Sequence, residues 1–234
     1  MTSSASSVPD ASPALAALLC THKRGAAVAL FPVPAGLPSR EGLRAAVQEA
    51  AQVLRQSASR EPVPFTLDQT SASGLCHSFS SMHFASCSGM TAENLAQLFK
   101  WILARSGSSA SPLKTIGVVV GLGSFTGLRL GCAFANGLCV GEQRELWAIE
   151  IPPAEQWNDR LADLPHDCHA AFCSPESGDA DDPYATGTGF SDIYIALKQW
   201  QDGGALLVDV LEPHYGREPT PVLKLKKELE SHSS

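Results

Sequence analysis

The feature that most constrains the fold is a strand pattern that runs through a glycine-rich turn into a helix. Residues Thr115 to Val120 read Thr-Ile-Gly-Val-Val-Val, a β-branched run typical of a strand that is covered on both faces. The chain continues Gly121-Leu-Gly-Ser-Phe-Thr-Gly-Leu-Arg-Leu-Gly131, and we predict a helix from about Ser124 to Val140. Such a turn leaves backbone N–H groups free at the helix start, where an anion can bind.

The common nucleotide-binding motifs do not fit this turn. Three residues separate Gly123 from Gly127, which breaks the G-x-G-x-x-G spacing of dinucleotide-binding folds. A P-loop fails as well, because five residues lie between Gly121 and Gly127 and Leu128 stands where the lysine is needed. The turn by itself is therefore only a weak indication of nucleotide binding.

Small residues recur along the predicted helix with the spacing i, i+4, i+8. One such face carries Gly127, Gly131 and Ala135, and a neighbouring face carries Ala133, Gly137 and Gly141. Each glycine inside a helix costs about 1 kcal/mol relative to alanine, so a compensating close contact is expected. Two interpretations stay open: the smooth face packs on the protein's own sheet, or it packs on a helix of a partner.

The remaining elements suggest alternating strands and helices. We predict a helix where Leu95, Leu98, Phe99 and Ile102 recur at helical spacing, and a strand within His77 to Ala85. Residues Ile193 to Trp200 fit a helix or a strand. The other predicted elements are a hairpin of Leu15 to Cys20 with Ala26 to Phe31, a helix from Ser39 to Gln56, and strands at Glu145 to Ile151 and Ala205 to Leu211. From the strand within His77 to Ala85 up to Ile151, the β-α-β-α-β order predicts an α/β layered lobe.

Composition excludes several functional classes. The 234 residues carry a net charge of −7, which argues against a nucleic-acid binder that works alone. No uncharged apolar run reaches the roughly 20 residues needed to cross a bilayer, and no cationic segment precedes the apolar stretch Ala14 to Cys20. The seven cysteines form no framework, which favours a reducing compartment. We therefore expect a cytoplasmic protein that makes no contact with a membrane.

One stretch resembles the signature of a known family. Gly123-Ser-Phe-Thr-Gly-Leu-Arg129, followed by Gly131, resembles the motif of the TsaB (YeaZ) family, the bacterial accessory subunits in making threonylcarbamoyl-adenosine at position 37 of tRNA. Leu122 replaces the proline that precedes the motif in the family. Weaker similarity covers the first strand, the helix from Thr91 to Gly107, Gly187 to Phe190, and Glu212 to Tyr215.

The resemblance implies an α/β fold of the actin-like (ASKHA, RNase H-like) type with two lobes. The expected first lobe spans 15–151, with an insertion at 32–75 that contains the extra helix. A reduced second lobe is expected over 152–221, because the family's Asp-Ala-Arg-x-Gly-Glu-Val-Tyr hairpin is missing after Pro153. Residues 1–14 are predicted to be a flexible N-terminus and residues 222–234 a solvated tail.

The resemblance also implies a non-catalytic scaffold that binds a TsaD-type catalytic subunit through helices of the first lobe. A TsaE-type ATPase and tRNA would join through that complex, and ATP would be bound by the complex rather than by this chain, which takes no cofactor or metal. Pairing of the chain with itself is an open alternative. Gly131→Leu is expected to break either pairing without unfolding the monomer. The expected partner-binding residues are Leu95, Leu98, Phe99, Ile102, Ser124, Phe125, Thr126, Gly127, Leu128, Arg129, Gly131 and Ala135.

An enzyme is the competing hypothesis, either a residual ATP hydrolase or a glycoprotease-like protein. Cys20 stands where the family's first strand has an aspartate, which weakens any metal–phosphate role. No G-x-S-x-G nucleophile elbow and no H-E-x-x-H zinc motif is present. His166, Cys168, His169 and Cys173 are a weak zinc candidate, since their spacing matches no common pattern.

Overall fold

A computed structural model of the chain describes residues 13–22, 25–34, 39–57, 63–67, 73–78, 81–89, 92–107, 113–121, 124–152 and 189–215. The eight strands are β1 (Ala14–His22), β2 (Gly25–Val33), β3 (Val63–Thr66), β4 (Ser73–Ser78), β5 (His83–Ser88), β6 (Leu113–Val119), β7 (Glu145–Ile149) and β8 (Ala205–Val208). The four helices are α1 (Ser39–Ser57), α2 (Ala92–Arg105), α3 (Phe125–Cys139) and α4 (Gly189–Gln201).

All eight strands form one mixed sheet in the order β3-β4-β5-β2-β1-β6-β7-β8. Its centre is β5-β2-β1-β6-β7, in which β2 runs antiparallel to both of its neighbours while β1, β6 and β7 run parallel. A hairpin followed by parallel strands that enter through crossover helices is the arrangement of an actin-like, RNase H-like fold. The predicted fold class is confirmed.

The predicted insertion contributes a helix and additional strands at one edge. The extra helix expected from Ser39 to Gln56 is α1. Strands β3, β4 and β5 then form an antiparallel meander. The strand predicted within His77 to Ala85 is confirmed only in part, because β4 ends at Ser78 and β5 begins at His83.

The sheet separates two apolar clusters. On β1, Ala16, Leu18 and Cys20 face one cluster, whereas Leu15 and Leu19 face the other. Helices α1 and α4 cover the first side, and α2 and α3 cover the second. The alternation follows from the two-residue period of a strand, which sends successive side chains to opposite faces.

Two elements that the sequence assigned to the second lobe join this same sheet. Strand β8 pairs antiparallel with β7, and α4 packs on β1 and β2 beside α1. The stretch that fitted a helix or a strand is helical, and the residues from 192 to 197 are all buried. A helix covered from several directions loses the amphipathic pattern, which is why its sequence was ambiguous. The division into two lobes stays a prediction.

Several predictions concern residues outside these ranges. They include the flexible N-terminus up to residue 12, the tail at 222–234, and the candidate zinc ligands from His166 to Cys173. In the part of the chain that the structure describes, no helix is long and apolar enough to cross a membrane.

Candidate functional site

The glycine-rich turn connects β6 to α3, and the side chain of Ser124 caps the start of the helix. The backbone N–H of Gly127 donates to Oγ of Ser124 at 3.0 Å, and that of Leu128 donates to the Ser124 carbonyl at 2.9 Å. Ser124 itself is extended, with φ −73° and ψ 153°, as a helix-capping residue should be. The serine of the motif therefore accepts hydrogen bonds from backbone N–H groups at the start of its own helix. Leu122 and Gly123 lie outside the described residues.

The smooth side of α3 packs on the protein's own sheet. A Cβ added at Gly131 would stand 2.9 Å from Cγ2 and 3.0 Å from Oγ1 of Thr21, so β1 occupies the space of a side chain there. Gly131→Leu would therefore disturb the monomer, so this variant does not separate an effect on pairing from an effect on the fold. The buried residues of α3 are Gly127, Leu128, Gly131, Cys132 and Ala135. Four of these were predicted partner contacts, and burial in the chain's own core removes them from any accessible surface.

The apolar side of α2 also packs on the protein's own sheet, on the same side as α3. Leu95, Leu98, Phe99 and Ile102 are each at most 3% exposed and belong to the cluster beneath α2 and α3. The helix-spaced pattern that suggested a partner contact is the pattern of a helix packed on its own sheet. These side chains are therefore inaccessible in the described monomer, and their contact with a partner stays a prediction.

The other predicted residues lie at the accessible start of α3. Phe125 and Thr126 are exposed, as is Arg129, while Ser124 is half-buried. The Phe125 ring stacks on Tyr215 with centroids 4.2 Å apart and planes at 20°. The Arg129 guanidinium lies 5.7 Å from the Phe125 ring centroid, within the range of a cation–π contact. An aromatic and cationic cluster therefore marks this end of the helix.

A segment after β8 holds Tyr215 in place. The Asn136 side chain on α3 donates to the Leu211 carbonyl at 3.0 Å and accepts from the Leu211 N–H at 2.9 Å. The His214 N–H donates to the Val120 carbonyl at 2.7 Å, just beyond the end of β6. Sequence reasoning missed Asn136 and Leu211, and it noted Tyr215 only as part of a family motif. Their connection spans a sequence distance that no local pattern reveals.

The exposed α3 face, as we call it, consists of Thr126, Arg129, Ala133, Gly137 and Val140. Nothing lies within 4 Å of a Cβ built at Gly137, and Val140 is 80% exposed. Gly141, just past the helix, has φ +76°, a left-handed conformation that favours glycine. Gly137 has no such reason within the described chain. This face therefore combines small side chains, one exposed aliphatic residue and one cation.

A buried polar group lies at the end of β1, on the side of the sheet that α1 and α4 cover. The Cys20 thiol donates to Oδ2 of Asp192 at 3.8 Å, and both residues are fully buried. Oγ1 of Thr21 and Oδ1 of Asp192 have no hydrogen-bond partner among the described residues. Burial raises the pKa of Asp192 to about 7, partly offset by the hydrogen bond from Cys20. A carboxyl group that is closed off in this way has no access to a phosphate or a solvated ion.

Three buried cysteines, Cys20, Cys76 and Cys87, do not have the environment of reactive thiols. Burial raises the pKa of Cys20 well above its usual value, and the carboxyl of Asp192 adds to that effect. Burial likewise raises the pKa of Cys76, and it raises that of Cys87 to about 11. A nucleophilic cysteine needs a lowered pKa and access to substrate. Among the described residues, no group of His, Cys, Asp and Glu side chains is arranged to hold a metal ion.

Comparisons with known proteins point to one group. Residues 86–151 match the family model described as TsaD, tRNA N6-adenosine threonylcarbamoyltransferase. The match runs from within β5 to just beyond β7 and contains α2, α3 and the glycine-rich turn. The resemblance noted in the sequence is confirmed, and over this segment the chain is similar to the TsaD family model.

Two solved structures from Pseudomonas aeruginosa are similar at low identity. YeaZ is 15% identical with a TM-score of 0.39, over 64% of this chain and 49% of that chain. An uncharacterised protein with similarity to peptidase YeaZ is 16% identical with a TM-score of 0.37, over 63% of this chain and 47% of that one. The chain therefore spans about half the length of these structures. No curated protein matches it significantly.

Proposed function

We propose that this chain is a non-catalytic accessory subunit that binds a TsaD-type protein and so supports threonylcarbamoylation of adenosine 37 in tRNA. Residues 86–151, which match the TsaD family model, include the whole of α3. The partner contacts the exposed α3 face, which replaces the largely buried set of residues inferred from the sequence.

Gly137 is the observation that carries the proposal. A glycine within a helix lowers its stability by about 1 kcal/mol relative to alanine. At Gly131 the fold explains the glycine through Thr21, but at Gly137 the space around a Cβ is empty. Small residues let a second helix approach closely, so a partner helix on this face accounts for both Ala133 and Gly137.

The ends of the exposed α3 face supply the anchoring contacts. Phe125 and Tyr215 are 39% and 41% exposed and present a stacked aromatic surface at one end. The Arg129 side chain is already held over the Phe125 ring, so it loses less conformational entropy when a partner binds. Val140 is exposed at the other end. Aromatic and arginine side chains dominate the binding energy of many interfaces, so we expect the Phe125 end to contribute most.

The proposed role is to hold the partner in an active arrangement rather than to perform chemistry. A subunit that binds one conformation of its partner more tightly shifts the partner's population toward that conformation. With a net charge of −7, the chain would meet tRNA mainly through the complex. ATP and a TsaE-type ATPase belong to that assembly in this proposal, and this chain brings no cofactor of its own.

The test is size-exclusion chromatography with light scattering, in which the chain is mixed with TsaD from the same organism. We expect a one-to-one complex that Gly137→Leu abolishes. The matched control is Ala45→Leu, which adds the same side chain at an exposed position of α1 on the opposite side of the sheet. Circular dichroism establishes that both variants keep the wild-type helix content.

Each outcome separates the hypotheses. Loss of the complex in both variants, or in neither, would show that the exposed α3 face is not the docking surface. If the wild-type chain forms no complex and runs as a dimer that Gly137→Leu dissociates, self-pairing is the function of this face. ATP hydrolysis by the purified chain alone would revive the enzyme hypothesis.

A further inference from the structure

A cavity of about 280 Å³ lies on the side of the sheet away from α3, between the start of α1 and the end of α4. The indole rings of Trp147 and Trp200 contribute to its wall together with the aliphatic side chain of Leu43. Arg40 and Arg44 line it as well. An apolar concavity with a few charged groups is the usual form of a small-molecule site.

The aromatic wall is built into the fold. A Cβ at Gly117 of β6 would stand 2.4 Å from Cζ3 of Trp200, so glycine at this strand position leaves room for the indole. Trp200 also meets Phe31 edge-on, with centroids 6.5 Å apart. Trp147 lies 5.9 Å from Trp200 at a tilt of 44°, and its N–H donates to Oε2 of Glu145 at 3.4 Å. Both rings are therefore held in position before any ligand enters.

The charge at this cavity is positive. Arg40 and Arg44 are exposed and stand one helical turn apart on α1, whereas Asp202 is the one carboxylate among the lining residues that the structure describes. A cation in the first turn of a helix is unfavourable to the helix dipole, so Arg40 does not serve to stabilise α1. Two guanidinium groups side by side suit an anion with several oxygen atoms, such as a phosphate.

We infer that this cavity binds a nucleoside phosphate, with the base against the tryptophans and the phosphate at Arg40 and Arg44. Bases stack readily on aromatic side chains, and arginine forks bind phosphate oxygens. The ligand can be a free mononucleotide or one nucleotide of a single-stranded RNA. Both present the same chemistry to the cavity.

The inference goes beyond the proposed function and gives the insertion a role. Helix α1, which supplies both arginines, belongs to the 32–75 insertion that the family resemblance leaves unexplained. The cavity and the exposed α3 face lie on opposite sides of the sheet. A nucleotide site can therefore exist whether or not a TsaD-type partner binds.

Isothermal titration calorimetry on the full chain tests the inference, with adenosine 5′-monophosphate as the probe. We expect saturable binding that weakens at least about tenfold for adenosine, which lacks the anion, and for inorganic phosphate, which lacks the ring. Arg44→Gln should weaken binding of the monophosphate by about tenfold. The matched control is Arg55→Gln, an exposed arginine in the last turn of the same helix, which should leave binding unchanged.

The outcomes are separable from those of the docking test. Absence of saturable binding at millimolar monophosphate, or equal effects of Arg44→Gln and Arg55→Gln, would overturn the inference. Tighter binding of a short single-stranded oligoadenylate than of the monophosphate, lost again in Arg44→Gln, would identify RNA as the source of the ligand. Equal affinity would identify the free nucleotide. Gly137→Leu should leave every one of these affinities unchanged.

Discussion

Two glycines of α3 occupy opposite environments. Gly131 lies against Thr21 of β1, where even a methyl group would come within 3.0 Å of side-chain atoms. Gly137 lies on the exposed α3 face, with empty space around it. Both belong to the same kind of small-residue spacing in the sequence, yet only the first is required by the described fold. The comparison teaches that the same small-residue spacing can have two causes. At Gly131 it is packing within the chain, and at Gly137 we propose that it is docking of a partner.

The largest expected effect concerns the buried interior, at Asp192. Its carboxyl group contacts Cys20, the residue before Thr21 on β1. Burial raises the pKa of Asp192 from 3.8 to about 7, so the folded chain keeps a proton that the unfolded chain releases above about pH 4. The free energy of unfolding should therefore fall by up to about 4 kcal/mol as the pH rises to about 7, and then level off. Asp192→Asn should remove this dependence, as measured by urea unfolding across that range.

The control for this prediction is Asp209→Asn, which neutralises an exposed carboxylate. This variant should retain the fall in stability. If Asp192→Asn kept the same pH dependence as the wild-type chain, the carboxyl group at Asp192 would not be the one that carries it.

The next effect sharpens the comparison at Gly131 itself. Gly131→Leu should lower the free energy of unfolding by about 3 kcal/mol or more, because the new side chain overlaps the buried side chain of Thr21. Gly131→Ala should cost less, and still less in a Thr21→Ala background, where the two closest contacts are gone. Urea unfolding of the four members of this double-mutant cycle measures the coupling. Additive effects would mean that the close approach to Thr21 is not what demands the glycine.

The smallest effect concerns Gly137 on the exposed α3 face, where a substitution should raise rather than lower the free energy of unfolding. Gly137→Ala should raise the free energy of unfolding by about 1 kcal/mol, because alanine favours the helix and meets no neighbour. The measurement is again urea unfolding of the isolated chain. A destabilised Gly137→Ala would indicate that some part of the chain covers this position, and the difference between the two glycines would disappear.

Much of the central sheet and its helices was predictable because their patterns are local. The β-branched run of β6, the hairpin of β1 with β2, and the helical spacing in α1, α2 and α3 each depend on neighbours within a few residues. The Ser-rich stretch before β5 carries no clear period, so the sequence suggested one strand where the structure has two. For α4, six consecutive buried positions erased the helical period.

The candidate site was predicted only in part. The sequence identified the exposed residues Phe125, Thr126 and Arg129 at the correct helix start. It also assigned apolar and small residues of α2 and α3 to a partner, although a helix packed on its own sheet shows the same spacing. The pairing of Asn136 with Leu211 and the stacking of Phe125 on Tyr215 were out of reach, because each joins residues far apart in the chain.

The sequence by itself determined β1, β2, β6 and β7 of the central sheet, the start of α3 near Ser124 and the family resemblance of the motif. These depend on residue type and on spacing along the chain, which a sequence states directly. Only the tertiary structure decided which side of α3 is covered, which glycine the fold requires, and that Trp147 and Trp200 meet Arg40 and Arg44 around one cavity. The physical reason is that burial depends on which distant segment packs against a residue. A periodic pattern indicates that one face of a helix or strand is covered, but it does not identify the segment that covers it.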